Sequence, residues 1–453
     1  MIKKSSWRSR LSFYLLAIGS ACGLGNLWRF PYIVGENGGG AFILLYVFLA
    51  LTIGLTLLIA ELLLGQFTGT SILKASKRVA AQQKKPYQIF GWLSLLISAA
   101  TLAYYSVICG WVLHYLTQFM VTFFRGEFSG VTQISMVSLY QNSWLQFLLA
   151  SVHLLISVII VVKGFSEGVE RWITSFLPLF GLMVVILLVK SLSLESTPDV
   201  LRFLFYPDFS KLTWASLGHA IGHVFFTLSV GFGTMVTFGS YFKNEEHLPG
   251  MGFRVTLVDT IISLFSVLLI FPIAFSSSKE KLTDPSLLFE VLPQFLAKDK
   301  SGVLFGLIFF FCLWLAALNA SLGLLETVTA NLAEKRPDLK RSTSAWISGL
   351  AILFVTIFPA FSGTIFKNVK VNGHGLIEVL DSFLINGLLP IAGLGMVIIF
   401  LLALNESERK KLFINESSST SHSMYSHWIF SLKWLVPSLI IIGLVFQLIS
   451  FFR

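Results

Sequence analysis

Stretches free of Asp, Glu, Lys and Arg recur along the whole chain. They run from Leu11 to Trp28, Pro86 to Phe124, Trp144 to Val162, Trp172 to Val189 and Leu212 to Phe242. Further ones run from Thr260 to Ser278, Ser301 to Leu325, Ser342 to Phe366, Ser382 to Asn405 and Trp434 to Phe452. One more, over 38–73, is interrupted only by Glu61. A helix crossing a bilayer core needs roughly 20 apolar residues, so the pattern predicts an all-α polytopic membrane protein of eleven spans.

Two of these spans carry glycines where helical hydrogen bonding is expected to fail. The first contains Gly19-Ser20-Ala21-Cys22-Gly23-Leu24-Gly25-Asn26 and the sixth contains Ser229-Val230-Gly231-Phe232-Gly233. Glycine weakens a helix interior by about 1 kcal/mol relative to alanine, and lipid cannot satisfy backbone groups freed by a break. Such breaks therefore belong beside a cavity. Small residues also serve close helix packing in membranes, but Asn26, Thr227 and Asp259 at nearby depths favour the cavity. The first and sixth spans are equivalent members of two five-helix halves, and paired interruptions are the pointer to an inverted-repeat transporter with a midplane site. The expected organisation is one transporter domain over 1–453. It comprises a cytoplasmic segment 1–10, a first repeat 11–193, a second repeat 212–405 and an eleventh helix at 428–451.

Composition narrows the classes. Of 453 residues 55% are hydrophobic and 12% charged, where soluble chains carry about 25% charged residues. A cytosolic enzyme, a nucleic-acid binder and a disordered scaffold are excluded. The net charge of +10 is read by loop: 21 of the 33 Lys and Arg residues fall in alternate loops, beginning with Lys3, Lys4, Arg8 and Arg10. That bias places the N-terminus in the cytoplasm and, after eleven spans, the C-terminus outside. Cys22, Cys109 and Cys312 are odd in number and lie in apolar runs, which offers neither a disulfide framework nor a zinc spacing. His219 and His223 share a helical face, yet no Glu follows the first and no third ligand is evident, so a zinc enzyme is not indicated. Nor does the chain show the pore rings or carbonyl filter of a channel.

The motif Gly23-Leu24-Gly25-Asn26-Leu27-Trp28-Arg29-Phe30-Pro31, followed by Glu36-Asn37-Gly38-Gly39-Gly40-Ala41-Phe42, closely resembles the opening of the neurotransmitter:sodium symporter family. Phe225-Phe226-Thr227-Leu228-Ser229-Val230-Gly231-Phe232-Gly233 is similar to that family's sixth helix. The eleven spans resemble its bacterial branch, which includes leucine and hydrophobic amino acid transporters. The resemblance implies sodium-coupled import of an L-amino acid by alternating access, with the bilayer and a small-molecule substrate as partners. It implies a bacterial cytoplasmic (cell inner) membrane and a monomer or weak homodimer.

The resemblance also implies a site. Helix ends present unpaired backbone groups and a partial charge. Amides near Leu24 and Gly25 suit a carboxylate, and carbonyls of Phe226, Thr227 and Ser229 suit an ammonium. Tyr105 matches the family tyrosine that bonds the substrate carboxylate, with Phe226 and Phe232 as an aromatic lid. Outside the family context, Tyr105 also reads as a core tyrosine bonded to a neighbouring helix. Ala21 and Gly23 complete the backbone cradle, while Ser20, Thr101, Phe232, Ala320 and Leu324 form a side-chain pocket without an acid or base. A neutral, hydrophobic or aromatic substrate is expected. The first sodium site combines the Ala21 carbonyl, Asn26, Thr227, Asp259 and the substrate carboxylate. A carboxylate in mid-membrane is costly and reads as functional, the alternative being an acid held neutral. If charged, Asp259 supplies the negative charge that chloride supplies elsewhere in the family. A second sodium site would use Gly19, Cys22, Ala316 and Asn319, but the family's Thr-Ser pair reads Asn319-Ala320 here. Either a weaker site remains or one sodium suffices. Gly168 and Pro178 match a family motif linked to local unwinding near that site. Arg29 and Asp381 match the outer gate, an exposed latch. Lys4, Trp7 and Glu334 are similar in position to the inner gate, where the family usually has Arg and Asp, and Lys4 also reads as a positive-inside residue. Glu61 reads as a structural hydrogen-bonding acid.

Overall fold

The computed structural model describes residues 23–126, 136–242, 247–277, 287–297, 300–371, 373–414 and 422–451. Within them the chain is helical, its one extended pairing being an isolated bridge between Val371 and His374. After a π-helical turn at Gly25–Arg29 comes α1 (Phe30–Glu36). Next are α2 (Gly40–Thr68), α3 (Ile72–Gln83), α4 (Gln88–Arg125), α5 (Ser143–Val162), α6 (Arg171–Leu192) and α7 (Thr197–Phe205). The second half contributes α8 (Trp214–Thr227), α9 (Thr234–Gly239), α10 (Leu248–Ser277), α11 (Leu287–Leu296), α12 (Lys300–Lys335), α13 (Arg341–Ala360), α14 (Leu376–Ala403) and α15 (His422–Ile449).

Among the described residues eight helices are individually long and apolar enough to cross a bilayer. They correspond to the expected second, third, fourth and seventh to eleventh spans. The other three are the irregular ones. The first is described only from Gly23, the fifth turns through 106° between Pro178–Leu192 and Thr197–Phe205, and the sixth is split into α8 and α9. Several helices overrun their uncharged stretches. α12 runs on from the uncharged stretch Ser301 to Leu325 as far as Lys335, and at 36 residues it is about 54 Å long, well beyond a hydrocarbon core of about 30 Å. Charges mark where lipid ends, and the helix continues past them into water. α4 and α12 pack along each other at the centre of the bundle, with α5 and α13 beside them.

The split between α8 and α9 follows from backbone conformation. Ser229, Gly231 and Gly233 have φ of 53°, 84° and 78°, a region that glycine enters freely and other residues do not. A helix cannot continue through three such positions. Neighbours satisfy the groups that are released: the Gly231 amide donates to Glu61 Oε1 at 2.6 Å, and the Ser98 hydroxyl donates to the Phe232 carbonyl at 2.9 Å. The buried Glu61 thus holds the break in place, and its structural reading stands.

Candidate transport site

Between the opening of the first helix and the break of the sixth lies a small cavity. Gly23 and Gly25 line one side, Phe226, Thr227, Ser229 and Phe232 another, and Tyr105, Ala320 and Leu324 close it from α4 and α12. Phe226 sits edge-on to both Tyr105 and Phe232, with centroids 6.3 and 6.4 Å apart. Gly25 is needed for this approach, because a Cβ there would come within 2.8 Å of the Phe226 ring. The Tyr105 hydroxyl accepts the Leu24 amide at 3.2 Å, which leaves its own proton to donate. The Phe226 carbonyl accepts the Ser229 amide at 3.2 Å, so it is less open to a ligand than the sequence suggests. Leu24 and Thr101 are fully buried beside the cavity rather than lining it. Ser20 and Ala21 lie outside the described residues.

Asn26, Thr227 and Asp259 come together next to this cavity, all buried. Asn26 Nδ2 donates to Asp259 Oδ1 and to Ser263 Oγ, each at 2.8 Å, and Asn26 Oδ1 accepts the Gly23 amide at 3.1 Å. Asp259 Oδ2 accepts the Tyr46 hydroxyl at 3.2 Å. The Thr227 hydroxyl donates to the His223 carbonyl at 3.1 Å. Side-chain oxygens of an amide, a hydroxyl and a carboxylate are the donor chemistry of a hard cation, so these residues fit sodium. The proposed second site is poorer. Ala316 is buried with its carbonyl near Gly23, and Asn319 Oδ1 is buried without a hydrogen-bond partner among the described residues. Ala320 adds no side-chain oxygen, and Gly19 and Cys22 lie outside the described residues. Gly168 and Pro178 both stand in helical segments of this structure. A π-helical stretch at Phe165–Glu170 gives way to α6, which stays helical through Pro178.

The gate residues differ from expectation in burial. Arg29 Nε and Asp381 Oδ2 are 3.0 Å apart with side chains 1% and 8% exposed. This is a buried ion pair, not an exposed latch. Asp381 Oδ1 also accepts the Tyr104 hydroxyl at 2.9 Å, and an Arg29 terminal nitrogen donates to Asn386 Oδ1 at 2.8 Å. The guanidinium lies 5.9 Å from the Phe226 centroid, against the aromatic wall of the cavity. Glu334 instead accepts the Ser71 amide and hydroxyl, at 3.1 and 2.8 Å, holding the start of α3. Lys4 and Trp7 lie outside the described residues.

Sequence reading passed over Tyr46 and Ser263. Ser263 stands one helical turn beyond Asp259 on α10, a spacing that puts both on one face. His223 stacks on Phe30 at 5.0 Å and meets Arg29 at 3.4 Å, so it packs between gate and ion site rather than pairing with His219 on a metal.

A helical membrane bundle with a central cavity beside an interrupted helix, and hard oxygens next to it, has the architecture of a secondary transporter. The chain belongs to the Sodium:neurotransmitter symporter family, whose model matches residues 4–125 and 119–453. It is a sodium-dependent transporter, not an enzyme. It is 32% identical to the uncharacterized sodium-dependent transporter YhdH of Bacillus subtilis (strain 168), over 97% of each chain. An uncharacterized sodium-dependent transporter of Haemophilus influenzae is 30% identical, again over 97% of each. The crystal structure of MhsT in complex with L-phenylalanine matches with a TM-score of 0.89 at 29% identity, covering 98% of this chain and 99% of that one.

Proposed function

We propose that this protein imports a neutral, hydrophobic or aromatic L-amino acid together with sodium, by alternating access around the cavity. The observation that carries the reading is the cavity itself. One side begins a helix at Leu24, and the side-chain end is walled by Phe232, Ala320 and Leu324 with no charged group among the lining residues. A zwitterion's carboxylate suits the helix start and the Tyr105 proton, its ammonium suits the interrupted end of α8, and an apolar side chain suits the rest. The phenylalanine bound to the similar MhsT supports an aromatic guest. Ser20, Ala21 and Thr101 complete the pocket in this reading.

Sodium at the first site is held by Ala21, Asn26, Thr227 and Asp259, and the substrate carboxylate joins it. Asp259 carries the negative charge there, ringed by Tyr46, Ser263 and Asn26, so transport needs no chloride. The unpartnered Asn319 oxygen supports a weak second sodium with Gly19, Cys22 and Ala316. Arg29 with Asp381 closes the outer side, and Lys4, Trp7 and Glu334 the inner. The reading includes eleven spans in two inverted repeats, 11–193 and 212–405, followed by the helix at 428–451. It places the protein in the bacterial cytoplasmic membrane, N-terminus inside and C-terminus outside, as a monomer or weak homodimer.

Uptake of labelled phenylalanine and leucine into proteoliposomes tests this. Accumulation is expected only under an inward sodium gradient and unchanged when gluconate replaces chloride. Uptake that persists without sodium overturns the coupling, and uptake that collapses in gluconate overturns the role of Asp259.

A further inference from the structure

Where α4 enters the hydrocarbon region, a group of cations stands beside an exposed aromatic. The uncharged stretch begins at Pro86, and Ile89, Trp92 and Leu96 are exposed at helical spacing, so α4 turns this row to lipid. Trp92 stands near the start of that row, at the boundary between lipid and water where tryptophan is favoured. The ammonium of Lys335, the last residue of α12, rests 4.3 Å from the Trp92 ring centroid. At this level α12 is fastened to α3: Asn331 Oδ1 accepts the Leu73 amide at 3.0 Å, and Glu334 accepts the Ser71 amide at 3.1 Å. Asn331, Glu334 and Lys335 follow at helical spacing, so Lys335 lies on the face that meets α3. α3 in turn packs on α4, with Leu73 and Ser76 against Gly91, where any side chain would clash.

α3 is amphipathic. Ile72, Leu73, Ala75, Ser76 and Val79 are buried, while Lys74, Lys77 and Arg78 are exposed on the other face. Arg78 donates to the Thr68 carbonyl at 3.2 Å. Lys74, Lys77 and Lys335 pair with no carboxylate among the described residues. Arg336, one residue on from Lys335, does pair, with Asp338 at 3.0 Å. Cations left over at a lipid boundary call for an anion from outside the chain, and the bilayer supplies one in its phosphates. We propose that this corner binds an anionic phospholipid of the adjoining leaflet, its phosphate between Lys335 and the lysines of α3 and its acyl chains along Ile89, Trp92 and Leu96. Phosphatidylcholine carries its own cation and is neutral overall, so the surface selects phosphatidylglycerol over it. None of these residues lines the transport cavity, so binding is expected with or without sodium and amino acid.

The test is native mass spectrometry of the purified transporter with phosphatidylglycerol or phosphatidylcholine of the same acyl chains added. One phosphatidylglycerol retained per chain is expected, at least about tenfold more tightly than phosphatidylcholine. The triple variant Lys74→Glu/Lys77→Glu/Lys335→Glu is expected to abolish that preference, and Lys335→Gln alone to weaken phosphatidylglycerol about fivefold. Arg336→Gln, which removes a cation already paired with Asp338, is expected to leave the preference in place. Equal retention of the two lipids overturns the proposal, as does a preference that survives the triple charge reversal. A loss in Arg336→Gln as large as in Lys335→Gln would make the effect one of diffuse charge and overturn the site. Displacement of the lipid by soluble glycerol phosphate at the same concentration would assign the lysines to a free phosphate and likewise overturn it.

Discussion

Around Asp259 and around Asn319 the chain builds two very different candidate ion sites. The first has a carboxylate held on both oxygens, by Asn26 at 2.8 Å and Tyr46 at 3.2 Å, with Ser263 and Thr227 close by. The second offers one amide oxygen with no partner among the described residues and a neighbouring alanine. Both lie among buried residues, so burial does not separate them. Charge and donor number do: a hard cation is held by how many oxygens reach it and by the charge they carry. In the proposed function the first binds and couples the ion, and the second at most assists.

The comparison breaks most readily at Asp259. Replacing it with Asn removes the charge and keeps the shape, so sodium-driven uptake in gluconate should fall at least about 100-fold, since hydrogen bonds and contacts to a buried charge are strong. Added chloride should restore part of it if the charge is what matters. Uptake assays of Asp259→Asn in the two anions read both effects. The gate gives the next largest effect. Arg29→Ala leaves Asp381 buried and unpaired, which should cost about 3–5 kcal/mol and lower the melting temperature, with part recovered in the double variant Arg29→Ala/Asp381→Ala. A pair behaving as an exposed latch would instead cost ~0–1 kcal/mol.

Smaller effects sharpen the contrast. Tyr105→Phe removes one hydroxyl that faces the cavity, worth about 0.5–1.5 kcal/mol, so the KM for the amino acid should rise two- to tenfold with little change for sodium. Installing Thr and Ser at positions 319 and 320 should raise the sodium Hill coefficient while leaving the KM at the first site nearly unchanged. A coefficient that does not move would mean that the poor site lacks more than side-chain oxygens.

Much of this was readable from the chain. Long uncharged runs gave the helices because lipid admits little else, and Gly231 and Gly233 marked the break because few residues tolerate their backbone conformation. Asn26, Thr227 and Asp259 stood out as polar residues in apolar surroundings. What escaped was contact across helices. Tyr46 reads as an ordinary aromatic of α2 until α10 is laid beside it. Glu334 reads as a gate residue, and its bonds to Ser71 at the start of α3 show only once the helices are packed. The burial of Arg29 also depends on Tyr104, Asn386 and His223, which come from three other helices. Spacing along one helix shows a face, but not which helix that face meets.

Equilibrium binding of labelled L-phenylalanine to the purified protein, in sodium and in potassium at equal ionic strength, tests the central claim most directly. A cavity in which the ion and the substrate carboxylate share one site should bind phenylalanine in sodium and lose at least tenfold in affinity in potassium. Equal affinity in the two salts would contradict a shared site.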